Sequence, residues 1–338
     1  MNELHARAVV ADTHNDLLCA VAARPPDRWA SYFRERWLPQ LHAGGVGIQV
    51  LPVFIDTFYR PEGALRQTLR MIEAAHRIAD GNPDVVGLCR DGGEIDRVLA
   101  DGRIALVLAL ESAPGVGEDV ELLQTLFRLG VRVASLAHLG RTPLADGSGE
   151  DSTGSRLTGA GIEALTLMQR LGMLFDVSHL SATGVEHVLE LSTRPLIATH
   201  SAARALSDHH RNLTDDQLAA IAAGGGVICV NFFGPFVHPT DHSLERLVDQ
   251  IEHIVGVAGI NHVGLGPDFV QEVLADTQPP CCEPVFGGSE AYIPGLEGPA
   301  GLPLVTEALQ RRGWTDPDAA GVLGENVRRL FAAELGRA

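Results

Sequence analysis

Short β-branched runs bounded by Gly, Pro or Asp recur along the chain, and eight of them read as strands with helical text between. In order they are AVVADTHND (8–16), VGIQVLPVF (46–54), IALVLALES (104–112), VRVASLAH (131–138), MLFDVSH (173–179), PLIATHSA (195–202), GVICVNFF (226–233) and HVGLGPDF (262–269). Most are nearly continuous apolar runs that end in polar residues. Continuous apolarity means burial on both faces, as in a parallel sheet wrapped by helices; an antiparallel sheet with one wet face would alternate apolar and polar positions. Amphipathic stretches at 62–80, 159–172, 214–225 and 243–259 supply helices, and Thr214-Asp215-Asp216 offers an N-cap followed by an acidic first turn. Eightfold alternation of strand and helix predicts an α/β fold of the (β/α)8 TIM-barrel type, with an open doubly wound sheet as the alternative that counting alone leaves. No internal repeat or low-complexity block divides the 338 residues, so one barrel domain over 1–338 is expected. The Pro/Gly-rich text from Thr277 to Pro303 reads as a long βα loop, spanning about 270–303, before C-terminal helices.

Composition narrows the picture. Although 45% of residues are apolar, no run approaches the length of a membrane span. The N-terminal text reaches a charged, motif-bearing strand before an export signal could fit, so a cytoplasmic location without a membrane anchor is expected. A net charge of −17 repels phosphate backbones and anionic membrane surfaces, which removes nucleic acid from the expected partners. Cys19, Cys89, Cys229, Cys281 and Cys282 are odd in number and contain no CxxC, so neither a disulfide framework nor a thiolate metal site is indicated. All 26 basic residues are arginine, because the chain contains no lysine. Schiff-base chemistry is thereby excluded, and so is a carbamylated lysine bridging two metals.

The chemistry collects at strand ends, where barrel enzymes build their sites. His14 and Asp16 end the first predicted strand, Glu111 the third, His179 the fifth, His200 the sixth and Asp268 the eighth. Residues two apart on an extended strand point the same way, so His14 and Asp16 can chelate one ion. Three histidines and three carboxylates without thiolate suit zinc or another divalent transition metal better than calcium or magnesium. With its two oxygens, Glu111 is the natural bridge: His14, Asp16 and Glu111 would hold one ion, and Glu111, His179 and His200 the other, leaving room for a shared water. A lone histidine after an apolar strand is more often a core or rim residue; three at strand ends, with HxD and a Glu, are not so explained.

DTHNDL (12–17), LALES (108–112), LAHLGRTPLADG (136–147), DVSHLS (176–181), ATHS (198–201), HHRNLTDDQL (209–218), GPDF (266–269) and LGENVRRLF (323–331) together resemble the membrane dipeptidase, or renal dipeptidase, family. The matches are collinear and span nearly the whole chain. The resemblance implies an amidohydrolase-type barrel, two Zn2+ ions bridged by Glu111 and a water or hydroxide, and hydrolysis of dipeptides, often with a D-residue at the C-terminal position. It implies the metal ligands His14, Asp16, Glu111, His179 and His200. It also implies that His138 contacts the reacting carbonyl oxygen, that Arg211 holds the substrate carboxylate, and that Asp268 lies beside the bridging water as general base and acid. The signal peptide, anchor and disulfides of secreted members have no counterpart here; a homodimer stays open. A related amidohydrolase acting on lactams or N-acyl amino acids is the alternative enzyme reading, and a non-catalytic metal- or solute-binding barrel would have lost a ligand, which this chain has not.

Overall fold

Every expected strand appears, shortened to its apolar middle, and the strands close into a ring. The computed structural model describes residues 2–277 and 291–336. Its strands are β1 (Val10–Asp12), β2 (Val46–Val53), β3 (Val86–Leu88), β4 (Ile104–Leu110), β5 (Val131–Ala134), β6 (Leu174–Phe175), β7 (Ile197–Ser201), β8 (Val227–Val230) and β9 (Val263–Leu265). All ladders are parallel and run β1-β2-β4-β5-β6 and β7-β8-β9. Single parallel bridges, Asp176 to Ile197 and Asn15 to Phe269, join the two arcs at both seams. The result is the closed barrel and not the doubly wound sheet. The sequence pattern does not announce β3, a three-residue strand that pairs with the first residues of β4 outside the ring.

The longest ladder, Ile48 to Ala105 through Val53 to Leu110, shows why these strands are apolar on both faces. Ile48, Val50, Ala105, Val107, Ala109 and Val133 belong to one apolar cluster inside the barrel. Their alternating neighbours Leu51, Val53, Leu106, Leu108 and Leu110 belong to another, shared with surrounding helices through residues such as Ile72 and Ile78. The inner cluster continues into Val327, Leu330 and Phe331 of the helix Asn326–Glu334, which closes the N-terminal end of the barrel. The chain enters that helix through Gly324, where a β-carbon would sit 2.4 Å from the Val9 carbonyl oxygen. With that end filled by apolar side chains, polar groups have room only at the opposite end.

The outer helices follow the amphipathic text: Ala64–Gly81, Gly159–Leu171, Asp215–Ala223 and Leu244–Ala258. Thr214 and Gln217 form a reciprocal capping box ahead of Asp215–Ala223, as the Thr-Asp-Asp opening predicts. The expected loop at about 270–303 is partly helical. Helix Gln271–Asp276 follows the barrel, and a 3-10 turn at Pro299–Gly301 leads into Leu302–Arg311; the intervening stretch, with Cys281 and Cys282, lies outside the described residues. Cys19, Cys89 and Cys229 form no disulfide, and burial pushes the thiols of Cys89 and Cys229 up to about 12. Among the described residues no helix is long and apolar enough to cross a membrane.

Candidate metal centre

Where the strands leave the barrel the backbone turns sharply, and those turns carry the polar side chains. Among the described residues, the non-glycine positions in the left-handed region are Ser112, Ala113, His179 and Asp268, all at or just after strand exits of the site. Such conformations cost about 1–3 kcal/mol each and persist where surrounding packing enforces them. At Asp268 the enforcement is visible. Its backbone N–H donates to the His14 carbonyl at 2.9 Å, and Gly266 comes so close to β7 that a β-carbon would lie 1.9 Å from the Thr199 carbonyl oxygen.

Glu111 is the hub. Only 5% exposed, it lies with Oε2 3.5 Å from His14 Nε2 and Oε1 3.0, 3.6 and 3.8 Å from the Nε2 atoms of His179, His138 and His200. His179 and His200 face each other Nε2 to Nε2 at 2.8 Å. Asp16 Oδ1 and Asp268 Oδ1 each lie 3.9 Å from His14 Nε2. Asp16 occupies the N-cap position of helix Leu17–Ala22, yet its carboxylate makes no capping bond. The structure thus brings the residues of both expected sets close together, with Glu111 common to them. Their contact distances bracket the about 3.3–3.6 Å between neighbouring ligands of a tetrahedral ion with bonds of about 2.0–2.2 Å. By distance alone His138 also groups with Glu111 and His179, and Asp268 with His14 and His200.

The electrostatics ask for a cation. Burial drives the imidazoles of His179 and His200 well below the usual range and so keeps them neutral. Burial opposes charge on His14 too, but Glu111, Asp16 and Asp268 outweigh it and carry its pKa up to about 10. Glu111 would be raised by burial, yet His14, with His179 and His138 adding to it, holds the carboxyl well below the carboxylate range. His14 Nε2 and Glu111 Oε2, 3.5 Å apart, are buried and among the described residues have no hydrogen-bond partner. Such orphans are expensive unless an ion takes them up, so this donor set fits divalent metal.

The surroundings hold ligand lone pairs in place. Thr199 Oγ1 donates to Asp176 Oδ2 at 2.6 Å and therefore accepts from His200 Nδ1–H at 2.8 Å, which leaves Nε2 as the lone pair. Asp176 also accepts the backbone N–H groups of Ser178 and Thr199. On the other side, Asp12 accepts the His14 backbone N–H at 3.1 Å, and burial raises its pKa to about 7. Asn231 donates to Asp268 Oδ2 at 2.9 Å, turning the other oxygen toward the cluster. Sequence reading missed Asp176, Thr199 and Asn231. All three are polar residues inside predicted strands (173–179, 195–202 and 226–233), which is the signal that could have found them.

Arg211 stands beside this centre. It is 3% exposed, donates to the His200 carbonyl at 2.6 Å and the Ser201 hydroxyl at 3.1 Å, and keeps a buried Nε–H without a partner. No carboxylate lies within ion-pair distance of it among the described residues; burial lowers its pKa to about 10. His138 is lowered to about 4, by burial first and then by Arg211 and Arg60, and is neutral at physiological pH.

Residues 1–278 match the model of a family described as membrane dipeptidase (peptidase family M19). Dipeptidase verJ of Clonostachys rogersoniana is 30% identical over 271 residues; the match covers 79% of this chain and 65% of that protein, slightly less than two thirds of its length. The crystal structure of the dipeptidase AC, a metallo peptidase, is similar at a TM-score of 0.85 and 26% identity, covering 98% of this chain and 99% of that one. A metallo peptidase from Rhodobacter sphaeroides, liganded with a phosphinate mimic of L-Ala-D-Ala, is similar at a TM-score of 0.85 and 24% identity, with 97% and 99% coverage.

Replacing Thr199 by valine keeps the shape and removes the hydroxyl between Asp176 and His200. Metal affinity, measured by chelator competition, is expected to fall about 10 to 100-fold with circular dichroism unchanged. An unaltered affinity would show that the relay does not orient His200.

Proposed function

This chain belongs to the membrane dipeptidase family, and from that premise we propose that it is a binuclear metal-dependent dipeptidase, zinc being the ion its donor set suits best. His14, Asp16 and Glu111 would hold one ion, and Glu111, His179 and His200 the other. The observation that carries the reading is Arg211: a buried guanidinium with no carboxylate partner among the described residues, fixed to the backbone of the proposed ligand His200. A substrate carboxylate supplies the missing anion, and a dipeptide places its scissile bond one residue from that carboxylate. The mimic of L-Ala-D-Ala in the Rhodobacter sphaeroides protein supports including dipeptides with a C-terminal D-residue.

The metal pair supplies Lewis acidity and lowers the pKa of water toward neutrality. The residues do the rest. Asp268, anchored by Asn231 through one oxygen, presents the other to the cluster, and burial raises its pKa, as suits a carboxylate that accepts a proton. It takes a proton from the attacking water as the new C–O bond forms and returns it to the amine nitrogen as the C–N bond breaks. His138, neutral and partly open to solvent, contributes an uncharged N–H donor to the oxygen on which negative charge develops. Closure of Arg211 on the carboxylate fixes the substrate before either transfer.

Asp268→Asn removes the proton acceptor and leaves the geometry. It is expected to lower kcat about 10² to 10⁴-fold with metal content retained; a loss under about tenfold, with chemistry rate-limiting, would remove Asp268 from the role. Arg211→Ala is expected to reduce kcat/KM for dipeptides by about 10 to 150-fold, the worth of a charge-assisted hydrogen bond. The same change should cost a dipeptide C-terminal amide, already a poor substrate, much less. Equal losses for acid and amide would place carboxylate recognition elsewhere.

A further inference from the structure

Between the two residues His14 and Asp16 stands Asn15, a fully buried amide to which the proposed function gives no part. Its side chain makes two bonds of opposite sense. Nδ2 donates to Asp12 Oδ2 at 3.2 Å, and Oδ1 accepts the Leu17 backbone N–H at 3.1 Å. Asp12, also fully buried, accepts the His14 backbone N–H on its other oxygen at 3.1 Å. Asp12 to His14 and Asn15 to Leu17 are therefore successive Asx turns, in each of which a side chain accepts the backbone N–H two residues on. The first fixes the backbone at His14, the second spans Asp16, and the bond from Asn15 to Asp12 ties one turn to the other.

These partners demand an amide. Exchanging its oxygen and nitrogen would set an N–H against the Leu17 N–H and an oxygen against the Asp12 carboxylate. A carboxylate at position 15 lacks the donor, and an apolar side chain lacks both groups. The same segment is braced along the barrel seam, where Asp268 N–H donates to the His14 carbonyl at 2.9 Å and Asn15 bridges to Phe269. We propose that Asn15 is a positioning residue of the metal centre: through the linked turns it sets His14 Nε2 and Asp16 Oδ1 at their 3.9 Å separation, and with it the affinity for the ion these two would share. His179 and His200 leave the barrel on other strands, so their ion depends on Asn15 much less. The inference rests on the ligand set of the proposed function.

The test titrates metal-free protein with zinc against a chromophoric chelator, which resolves the two binding steps without reference to activity. Asp16→Asn marks the step that belongs to the His14 and Asp16 ion. Asn15→Leu, close in size but with neither donor nor acceptor, is expected to weaken that same step about 10 to 100-fold and the other much less. Equal weakening of both steps, or of neither, would overturn the proposal. Asn15→Asp, which sets two carboxylates against each other, should weaken the marked step too. Adding Asp12→Asn to it should bring the affinity most of the way back, because the new amide at position 12 donates to the new carboxylate at position 15, which still accepts the Leu17 N–H. That exchange decides the matter if Asn15→Leu does not fold by circular dichroism, and a double variant that binds no tighter than Asn15→Asp alone would contradict the role of Asn15. If Asp16→Asn alters neither step, the ligand assignment itself fails and the inference with it.

Discussion

The structure turns on one buried carboxylate. Glu111 stands at the exit of a fully apolar strand, nearly closed to solvent, with three imidazoles on one oxygen and a fourth on the other. An uncompensated carboxylate in such a place costs several kcal/mol in desolvation. His14 compensates in the protein alone, at the expense of its lone pair; a divalent cation does so while using that lone pair as a ligand. Because the chain has no lysine, the positive charge cannot come from a flexible ammonium. Nearby Arg211 stays apart from Glu111, bound to the backbone of β7.

Everything around Glu111 can be read as holding that arrangement. Two apolar layers, one inside the ring and one beneath the helices, fix the strands so tightly that the turns at their ends can adopt left-handed backbone at His179 and Asp268. Short hydrogen-bond chains then select the useful face of each side chain, Asp176 through Thr199 to His200 and Asn231 to Asp268. The same network sets Arg211, because the carbonyl it grips belongs to the ligand His200. In the proposed function, carboxylate binding by Arg211 and metal binding by His200 would therefore share one backbone segment.

The parts of this arrangement that depend on single segments were legible in the sequence. Continuous apolar runs announced the eight barrel strands, and the polar residue at each exit announced His14, Glu111, His179, His200 and Asp268. Relations that depend on register between distant segments were not. Thr199 and Asp176 are 23 residues apart, and Asn231 and Asp268 are 37 apart; each pair meets only because neighbouring strands exit the ring side by side. The strand Val86–Leu88, which lies outside the ring, was not read from the sequence. The helix Gln271–Asp276 was absorbed into a stretch whose prolines and glycines lie mostly beyond it.

A shared carboxylate makes a prediction about stoichiometry that no arrangement of separate sites makes. Metal-free protein should be titrated with zinc while bound metal and dipeptide hydrolysis are followed on the same sample. The account predicts full activity only at two equivalents per chain, and in Glu111→Gln a loss of both equivalents together, since the neutral amide is a poor bridge. Full activity at one equivalent or none, or a Glu111→Gln protein that keeps both ions and its rate, would contradict it.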